Sequence, residues 1–402
     1  MNVQALSDVK VLDLTHYIAG PYCTKLLADY GAEVIKVERS GEGDPARRMG
    51  PFPDDIPNPE KSALFLHLNT NKKGITLNLK SETGKRIIKE LVRESDILVE
   101  NFRPGVMSKL GLDYQTLSQI NPKLVMTSIS NFGQTGPYRD FKATDMVEYA
   151  LGGPMYATGI PEEAPLKIYN NAIQYQAGVC AAVATMTALF GSEMEGEGEL
   201  LDISIMETQA AGIDRTPTFR IAYQYTGVVN ERLPTTQGFA TGVFPCKDGY
   251  VTIMGGTIWF PKLAAMLEMP ELLEHPIYSN LLEQSKPEVA EEFLDILLPW
   301  LLERTKKEIW EAAQAQNMLS SPIYTTEDLI NDLHYNERGF WVNIDHPMAG
   351  TIMYPGAPFK MSETPWQVKT PAPLLGQYNE EILGNLGYSK EDLVLLRQQN
   401  II

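Results

Sequence analysis

Short apolar runs alternate with amphipathic segments over the first 130 residues. The apolar runs predict buried strands at residues 9–14, 33–38, 75–79, 97–101 and 124–129. Between the first two runs, Pro21 suits the start of a helix and Gly31 its end, while Ser81 can cap a helix to about residue 93. Because this alternation produces parallel strands with helices on both faces, it predicts an α/β fold with a Rossmann-like, mostly parallel sheet.

The pattern changes after residue 174. Residues 175–194 predict a long helix rich in Ala and Met, which the glycine-rich stretch 195–199 ends. A strand and a helix follow at 200–208, and a polar stretch with Gly and Pro runs from about 210 to 245. Residues 250–305 then indicate a smaller separate unit of strand and helices. The chain is loop-like between residues 358 and 373, and a short helix is expected near 379–386.

Composition and charge exclude several classes of protein. The 402 residues exceed what one core usually organises, and 44% apolar with 21% charged residues is ordinary globular composition. The net charge of −17 argues against nonspecific nucleic-acid binding, which needs Lys and Arg to neutralise phosphates. Without a clear membrane-spanning run or a basic, then apolar, N-terminal leader, we expect no membrane association. Three distant cysteines favour a reducing cytoplasm over disulfides or zinc.

Common catalytic and cofactor motifs are missing from the sequence. It has no GxGxxG after the first strand, no P-loop, and no HExxH, CxxC or GxSxG. Instead, distinctive loops follow the predicted strands: His16 and residues 19–22 after the first, Arg39 after the second, residues 100–105 after the fourth and 131–138 after the fifth. The carboxyl ends of strands form the ligand crevice of doubly wound sheets, so these loops predict a ligand site that includes cations.

Five stretches of the sequence together resemble the class III CoA-transferase family, in the family's order and over nearly the whole chain. They read VLDLTHYIAGPYCTKLLADYGAEVIKVER, GITLNLKSETGK, VENFRPGVMSKLGL, NPKLVMTSISNFGQTGPY and GAPFKMSETP…TPAPLLGQYNEEILGNLGY. The resemblance implies a large Rossmann-like domain built from both chain ends, a smaller α+β domain, and an interlocked dimer. Accordingly, we expect 1–205 to begin the large domain, 206–235 to be a linker, 236–320 to form the small domain and 321–402 to complete the large one.

The resemblance also implies a set of contacts with coenzyme A, carried over by matching positions. They are Ile18, Ala19, Arg39, Leu77, Lys80, Asn101, Phe102, Arg103, Lys109, Leu110 and Lys142. Coenzyme A or an acyl-CoA is then a substrate, and no metal is implied. The cations of this set would form a local positive pocket in an acidic protein. Lys109 stands where a relative has Arg, which keeps the charge but loses bidentate phosphate geometry.

Members of the family use an aspartate as nucleophile, four residues before a glycine at the start of the Ala-rich helix. Counting back from Gly178 reaches Gln174, a neutral amide. Because a carboxylate is needed to form and release an acyl anhydride, the resemblance implies that this chain has no catalytic nucleophile at that position. Asp145 matches an acceptor-side carboxylate of a relative and is interpreted as a positioning group. Glu148 is the other nearby acid.

Three functions fit a family member without its aspartate. In the first, which we favour, the chain is one subunit of a heterodimer or heterotetramer whose aspartate-bearing paralogue completes a CoA-transferase. Succinyl-CoA:(R)-benzylsuccinate CoA-transferase of anaerobic toluene degradation is such a case within the family. In the second, a homodimer acts as an acyl-CoA racemase or isomerase through Asp145 or His16. In the third, the chain binds CoA esters without turnover. The acyl donor and acceptor stay open.

Overall fold

A six-stranded parallel sheet forms the centre of the first of two units into which the chain divides. The computed structural model describes residues 4–212, 216–229, 231–232 and 238–402. The strands of the sheet are β1 (Lys10–Asp13), β2 (Glu33–Glu38), β3 (Lys72–Thr76), β4 (Ile97–Glu100), β5 (Val125–Ser130) and β6 (Leu200–Ser204). Their spatial order is β3-β2-β1-β4-β5-β6, and each neighbouring pair is parallel. This doubly wound order confirms the predicted α/β fold with a Rossmann-like sheet.

Helices connect these strands and follow the last of them. They are α1 (Ala19–Asp29), α2 (Ala63–Leu68), α3 (Glu82–Val92), α4 (Val106–Leu110), α5 (Tyr114–Ser118), α6 (Asp145–Gly152), α7 (Ala172–Glu195), α8 (Ile205–Gly212) and α9 (Thr216–Thr226), with 3₁₀ turns at Pro45–Arg48, Pro53–Asp55 and Pro154–Ala157. Ser81 caps α3 as predicted, because its hydroxyl accepts the Gly84 N–H.

Neighbouring residues of the central strands enter different apolar layers, as the two-residue period of a strand requires. On β1, Val11 packs in the layer that contains residues of α1, α7 and α8, whereas Leu12 packs in the layer that contains residues of α3. Val125 and Met126 of β5 divide in the same way. The sheet is therefore buried on both faces, which explains why its strands read as nearly continuous apolar runs.

The second unit has its own antiparallel sheet and apolar core. Its described residues lie within Ala157–Leu166 and Val229–Glu337. The strands β7 (Thr241–Cys246), β8 (Gly249–Met254) and β9 (Ser320–Pro322) pair in that order. The helices are α10 (Phe260–Met266), α11 (Leu281–Gln284), α12 (Pro287–Leu302), α13 (Lys306–Ala315), α14 (Thr326–Asn331) and α15 (Leu333–Glu337), with 3₁₀ turns at Thr257–Trp259 and Pro270–Leu273. Phe244, Val251 and Phe293 meet in its core.

The chain rejoins the first unit at Arg338. A hairpin of β10 (Trp341–His346) and β11 (Gly350–Pro355) is followed by α16 (Asn379–Asn385) and α17 (Lys390–Gln398). Ile382 and Ile402 of this last segment enter the apolar layer that contains residues of α3. Early and late parts of the sequence therefore build one domain around the parallel sheet.

The observed boundaries differ from the expected domain limits. The segment 206–235, expected to be a linker, contains most of α8 and all of α9, while its residues 213–215, 230 and 233–237 lie outside the described part of the chain. The second unit extends to Glu337, beyond the expected limit at 320, because Ser320–Pro322 is the third strand of its sheet. The return segment consequently begins at Arg338, later than residue 321.

Among the described residues, one helix, α7, has the length and apolar composition that a membrane span would need. Its Ala177 and Ala181 are buried in the layer shared with α1, and these small side chains let the two helices approach closely. A core helix of a globular domain meets the same criteria. The packing of α7 on α1 and β5 therefore explains its apolar composition.

Candidate active site

The loop after β1 is fixed to the end of β4 by one side chain. The Asn101 amide oxygen accepts the backbone N–H of His16, and its nitrogen donates to the backbone carbonyl of His16, both at 2.8 Å. The His16 ring also meets Phe102 edge-on, with 5.7 Å between ring centroids. Asn101 thus joins two strand-end loops at the point where the strand order reverses, which is where doubly wound sheets bind ligands.

A cavity of about 540 Å³ opens beside this junction, and we call it the strand-end cavity. Its walls come from the carboxyl ends of β1, β2, β3 and β4 and from α4. It is lined by His16, Val37, Glu38, Arg39, Ser40, Gly41, Glu42, Leu77, Asn78, Leu79, Lys80, Phe102, Val106, Leu110 and Asn400. Five of the positions expected to contact coenzyme A therefore share one cavity, namely Arg39, Leu77, Lys80, Phe102 and Leu110.

The charges around the strand-end cavity are mixed. Arg39 is exposed and pairs with Glu42 at 2.7 Å, a contact that contributes little in water. Lys80 is also exposed, so its ammonium is available to an anionic ligand. Burial lowers the pKa of His16, partly opposed by the charge of Asp44, so its imidazole is neutral near pH 7. Arg39 and Lys80 are the cations that line this cavity.

The other expected coenzyme A contacts lie outside the lining of this cavity. Ile18 and Ala19 are buried at the start of α1, and Asn101 is engaged in holding the His16 loop. Arg103, Lys109 and Lys142 are exposed, and they are not among the residues that line the cavity. The convergence expected for Lys80, Lys109 and Lys142 is therefore not found in this cavity: β3 leads directly to Lys80, whereas Lys109 lies on the outer side of α4 and Lys142 on the loop before α6.

A second cluster forms where the first turn of α7 meets α6. Gln174 is the third residue of α7, and its Nε2 donates to Oε2 of Glu148 on α6 at 2.8 Å. We call these two residues the acid–amide pair. The Asn131 amide, assigned with its nitrogen toward Glu148 because the opposite orientation would set oxygen against oxygen, donates to Oε1 at 3.0 Å. Both oxygens of the Glu148 carboxylate are thus held by amides.

Glu148 is fully buried, with 0% of its surface exposed. Burial and the nearby charge of Asp145 raise the pKa of Glu148 to about 7, and the hydrogen bond from Gln174 only partly opposes this. Both the neutral and the ionised forms are therefore populated near neutral pH.

Asp145, the expected acceptor-side carboxylate, starts α6 and lies one turn from Glu148. Lys167 Nζ lies 2.6 Å from Asp145 Oδ2. The angles at this contact do not suit a hydrogen bond, so the contact is an ion pair. Lys167 pairs with Asp145 and not with Glu148. The two acids of α6 therefore differ, because Asp145 has a cation as its partner and Glu148 has two amides.

Close packing of α7 on α1 joins this cluster to the loop after β1. A Cβ on Gly178 would lie 2.7 Å from the Ala19 carbonyl oxygen, so any larger residue there would push the helices apart. One turn earlier, the rings of Tyr175 and Tyr22 meet edge-on at 4.8 Å. Ala19 follows His16 by three residues, so the start of α1 connects the loop that lines the strand-end cavity with the first turns of α7.

Sequence reasoning named Glu148 but did not place it against Gln174, and it missed the roles of Asn131 and Lys167. Asn131 could have been identified from the sequence, since it is the first residue of the segment 131–138 that follows a predicted strand. The contact between residues 148 and 174 depends on how α6 and α7 cross, which no local pattern reports.

The switch-point cavity and the buried acid–amide pair define a doubly wound α/β protein with a ligand site at its strand ends. The chain belongs to CoA-transferase family III, whose sequence model matches residues 6–379. The resemblance drawn from the sequence motifs is thereby confirmed. The chain is accordingly a CoA-transferase, an enzyme whose substrates are CoA thioesters.

Individual relatives match nearly the full length of the chain. It is 34% identical to the succinyl-CoA–D-citramalate CoA-transferase of Chloroflexus aurantiacus, over 99% of this chain and 98% of that protein. It is 33% identical to subunit BbsE of the succinyl-CoA:(R)-benzylsuccinate CoA-transferase of Thauera aromatica, over 96% and 95% of the two chains. A CAIB/BAIF family protein from Brucella suis has the same fold, with a TM-score of 0.84 at 28% identity over 95% of this chain and 99% of that one.

The described residues contain no group of three or more His, Cys, Asp and Glu side chains arranged to hold a metal ion. The three cysteines are free thiols, and burial raises the pKa of each, that of Cys23 to about 12. Around the acid–amide pair, Asp145 and Glu148 of α6 carry carboxylates, the type of group that acyl transfer through an anhydride requires.

Proposed function

We propose that this chain is one subunit of a CoA-transferase that moves CoA between an acyl-CoA such as succinyl-CoA and a benzylsuccinate-like carboxylic acid. Its partner in the heterodimer or heterotetramer is a paralogue that bears the nucleophilic aspartate. The observation that carries this proposal is Gln174, an amide at the position where the family places a carboxylate. A cytoplasmic location, suggested by the free cysteines, belongs to the same proposal.

The chemistry explains why an amide at this position matters. A carboxylate oxygen attacks the thioester carbonyl, a C–O bond forms, the C–S bond breaks, and the electron pair leaves with the CoA thiolate. The neutral amide of Gln174 is a far weaker nucleophile and yields no reversible anhydride. Loss of a covalent nucleophile typically lowers turnover about 10⁶-fold, or roughly 8 kcal/mol in the barrier.

An exposed apolar stripe along α7 supports association with a second protein. Val179, Val183, Phe190 and Met194 are 43%, 62%, 65% and 72% exposed. Their spacing places them along one side of the helix, opposite the buried alanines. Contiguous apolar surface of this kind usually marks a protein interface. We assign it to the aspartate-bearing paralogue, in an interlocked dimer of the type that the family resemblance implies.

Two kinds of evidence support the substrates named in this proposal. The relatives support succinyl-CoA as the donor, and the strand-end cavity supports a binding site for an acyl-CoA. The two relatives compared above both have succinyl-CoA in their names. The strand-end cavity offers Arg39 and Lys80 for the phosphates of coenzyme A and Leu77, Phe102 and Leu110 as apolar walls.

Co-expression tests the proposal. The chain is produced alone and together with an aspartate-bearing paralogue, and transfer of CoA from succinyl-CoA to benzylsuccinate is measured for each. We expect a mixed assembly that transfers CoA, with activity that Asp→Asn in the paralogue lowers, whereas the chain produced alone transfers less. A homodimer of this chain that is as active as the mixed assembly would contradict the need for a partner.

A further inference from the structure

Among the described residues, no cationic side chain pairs with Glu148, so the burial of this acid requires an explanation. Its carboxylate is fully buried, and the partners found for it among the described residues are the amides of Gln174 and Asn131. Lys167, the ammonium beside this cluster, pairs with Asp145 instead. A buried carboxylate held only by neutral donors costs stability, so a purely structural position would favour a neutral residue. Titratable groups in such surroundings concentrate at functional sites.

The position of this carboxylate relative to Gln174 supplies the explanation. Glu148 Oε2 lies 2.8 Å from the Gln174 side chain, so it is one hydrogen bond away from the point where the reacting carboxylate is expected. We propose that Glu148 is the reacting carboxylate of this chain's own site, the acid and the amide having exchanged places between α6 and α7. This inference rests on the proposed CoA-transferase function and makes the site of this subunit reactive.

The covalent steps balance without any further reactant. An oxygen of Glu148 attacks the thioester carbonyl carbon of the donor, the C–S bond breaks, and the thiolate leaves with the electron pair. The thiolate then attacks the glutamyl carbonyl of the mixed anhydride, which releases the donor acid as its carboxylate and leaves a glutamyl-CoA thioester. The acceptor carboxylate reverses both steps, so CoA is transferred and Glu148 is regenerated with no net change in protons or electrons.

Gln174 controls access to this carboxylate. Glu148 is fully buried, whereas Gln174 is only half-buried and lies in the first turn of α7. Rotation of the Gln174 side chain away from Glu148 breaks one hydrogen bond and uncovers the carboxylate oxygen. The second hydrogen bond, from Asn131, holds the other oxygen in place during this change.

Trapping of the glutamyl-CoA intermediate tests the inference on the unaltered protein. The chain, in assembly with its paralogue, is mixed with succinyl-CoA and then treated with hydroxylamine, which converts a glutamyl thioester to a hydroxamate. Mass spectrometry of peptides locates the modified residue. We expect a hydroxamate at Glu148, formed only when succinyl-CoA is present, and no such product in the Glu148→Gln variant. Glu207→Gln is the matched control, because it removes an exposed acid of α8 and should leave the labelling of Glu148 in place.

The possible outcomes separate this inference from the proposed function. Labelling confined to the paralogue's aspartate, with CoA transfer intact, overturns the role of Glu148 and leaves the heteromer. Labelling of Glu148 in an active homodimer of this chain supports Glu148 and removes the need for the paralogue. Exchange of an α-proton of the acyl-CoA with D₂O, without any hydroxamate at Glu148, overturns the inference in favour of an isomerase.

Discussion

Asp13 and Glu148 are two buried carboxylates of the same unit with opposite surroundings. Asp13, on β1, lies 3.0 Å from Lys72 and close to Lys36, and all three side chains are fully buried. Burial alone would raise the pKa of Asp13, but the charges of Lys72 and Lys36 outweigh it and hold that pKa well below its ordinary value. Glu148 has amides as partners, and its pKa rises to about 7.

The difference separates an acid that supports the architecture from one that can react. Asp13 is fixed in its ionised form because buried lysines depend on it, and its hydrogen bonds with Thr15 and Thr24 bind β1 to α1. Glu148 can change its protonation state or form a covalent bond without leaving a buried cation unpaired. Burial of an acid is therefore a poor guide to its role unless its partners are known.

Replacing each acid by its amide should separate the two roles most strongly. Asp13→Asn leaves the buried Lys72 without the carboxylate that it pairs with, while Lys36 keeps its ion pair with Asp44, and we expect the free energy of unfolding to fall by about 3–5 kcal/mol. Glu148→Gln introduces a neutral group among amides and should change it by less than about 1 kcal/mol near pH 4.5, where Glu148 is protonated in the folded protein. Urea denaturation of both variants beside the parent protein measures the difference. Equal losses would show that Glu148 is also part of the structural framework.

The two acids should also give opposite dependences of stability on pH. The pKa of Glu148 rises from 4.5 to about 7 on folding, so its favourable contribution is full below pH 4.5 and is lost as pH rises through about 7. The parent should thus lose about 3 kcal/mol relative to Glu148→Gln between pH 4.5 and 8. The contribution of Asp13, whose pKa is lowered, is present above its ordinary pKa of 3.8 and is lost as pH falls. If the free energy of unfolding changed with pH in the same way for the parent and for Glu148→Gln, Glu148 would not contribute the expected pH dependence.

Restoring an aspartate at residue 174 should require the removal of the glutamate. Gln174→Asp alone sets a second carboxylate within hydrogen-bond distance of Glu148, and the two then share one proton near neutral pH. We expect the exchanged pair, Glu148→Gln with Gln174→Asp, to transfer CoA at least about tenfold faster than Gln174→Asp alone. Initial rates in the same assembly test this. A single variant as fast as the double one would mean that Glu148 does not oppose a neighbouring carboxylate.

The smallest expected effect concerns the neighbour of Glu148 on α6. The charge of Asp145 is one cause of the raised pKa of Glu148, after burial. Asp145→Asn should therefore lower the pH midpoint of Glu148 labelling, by less than about one pH unit because burial is unchanged. The rate of hydroxamate formation between pH 5 and 9 gives this midpoint. Lys167→Met should move the midpoint upward, since it frees the charge of Asp145, and a shift in the same direction for both variants would contradict the assignment.

Much of the parallel sheet was predictable because its signals are local. The strand expected at 33–38 is β2 with the same limits, and Ser81 caps α3. The strand expected at 75–79 is observed at Lys72–Thr76, because pairing with β2 starts at Val34 and the last apolar residues of that run lie beyond the ladder. Hydrophobicity marks burial, whereas register is decided by the partner strand.

The candidate site was predictable in its location but not in its chemistry. Strand-end loops pointed to the cavity that holds Arg39, Lys80 and Phe102. The sequence also marked Gln174 as the amide at a critical position, through a family motif. The hydrogen bond that connects Gln174 with Glu148 joins residues 26 positions apart on two helices. It arises from tertiary packing, and neither periodicity nor spacing encodes it.

Asn101 has a consequence for binding energy. Its two hydrogen bonds with the backbone of His16 imitate the pairing between strands, so a side chain extends the sheet into the loop that borders the cavity. The entropy lost on ordering that loop is already lost when the chain folds. A ligand that enters the cavity therefore keeps more of its contact energy for affinity, as rigid receptors do.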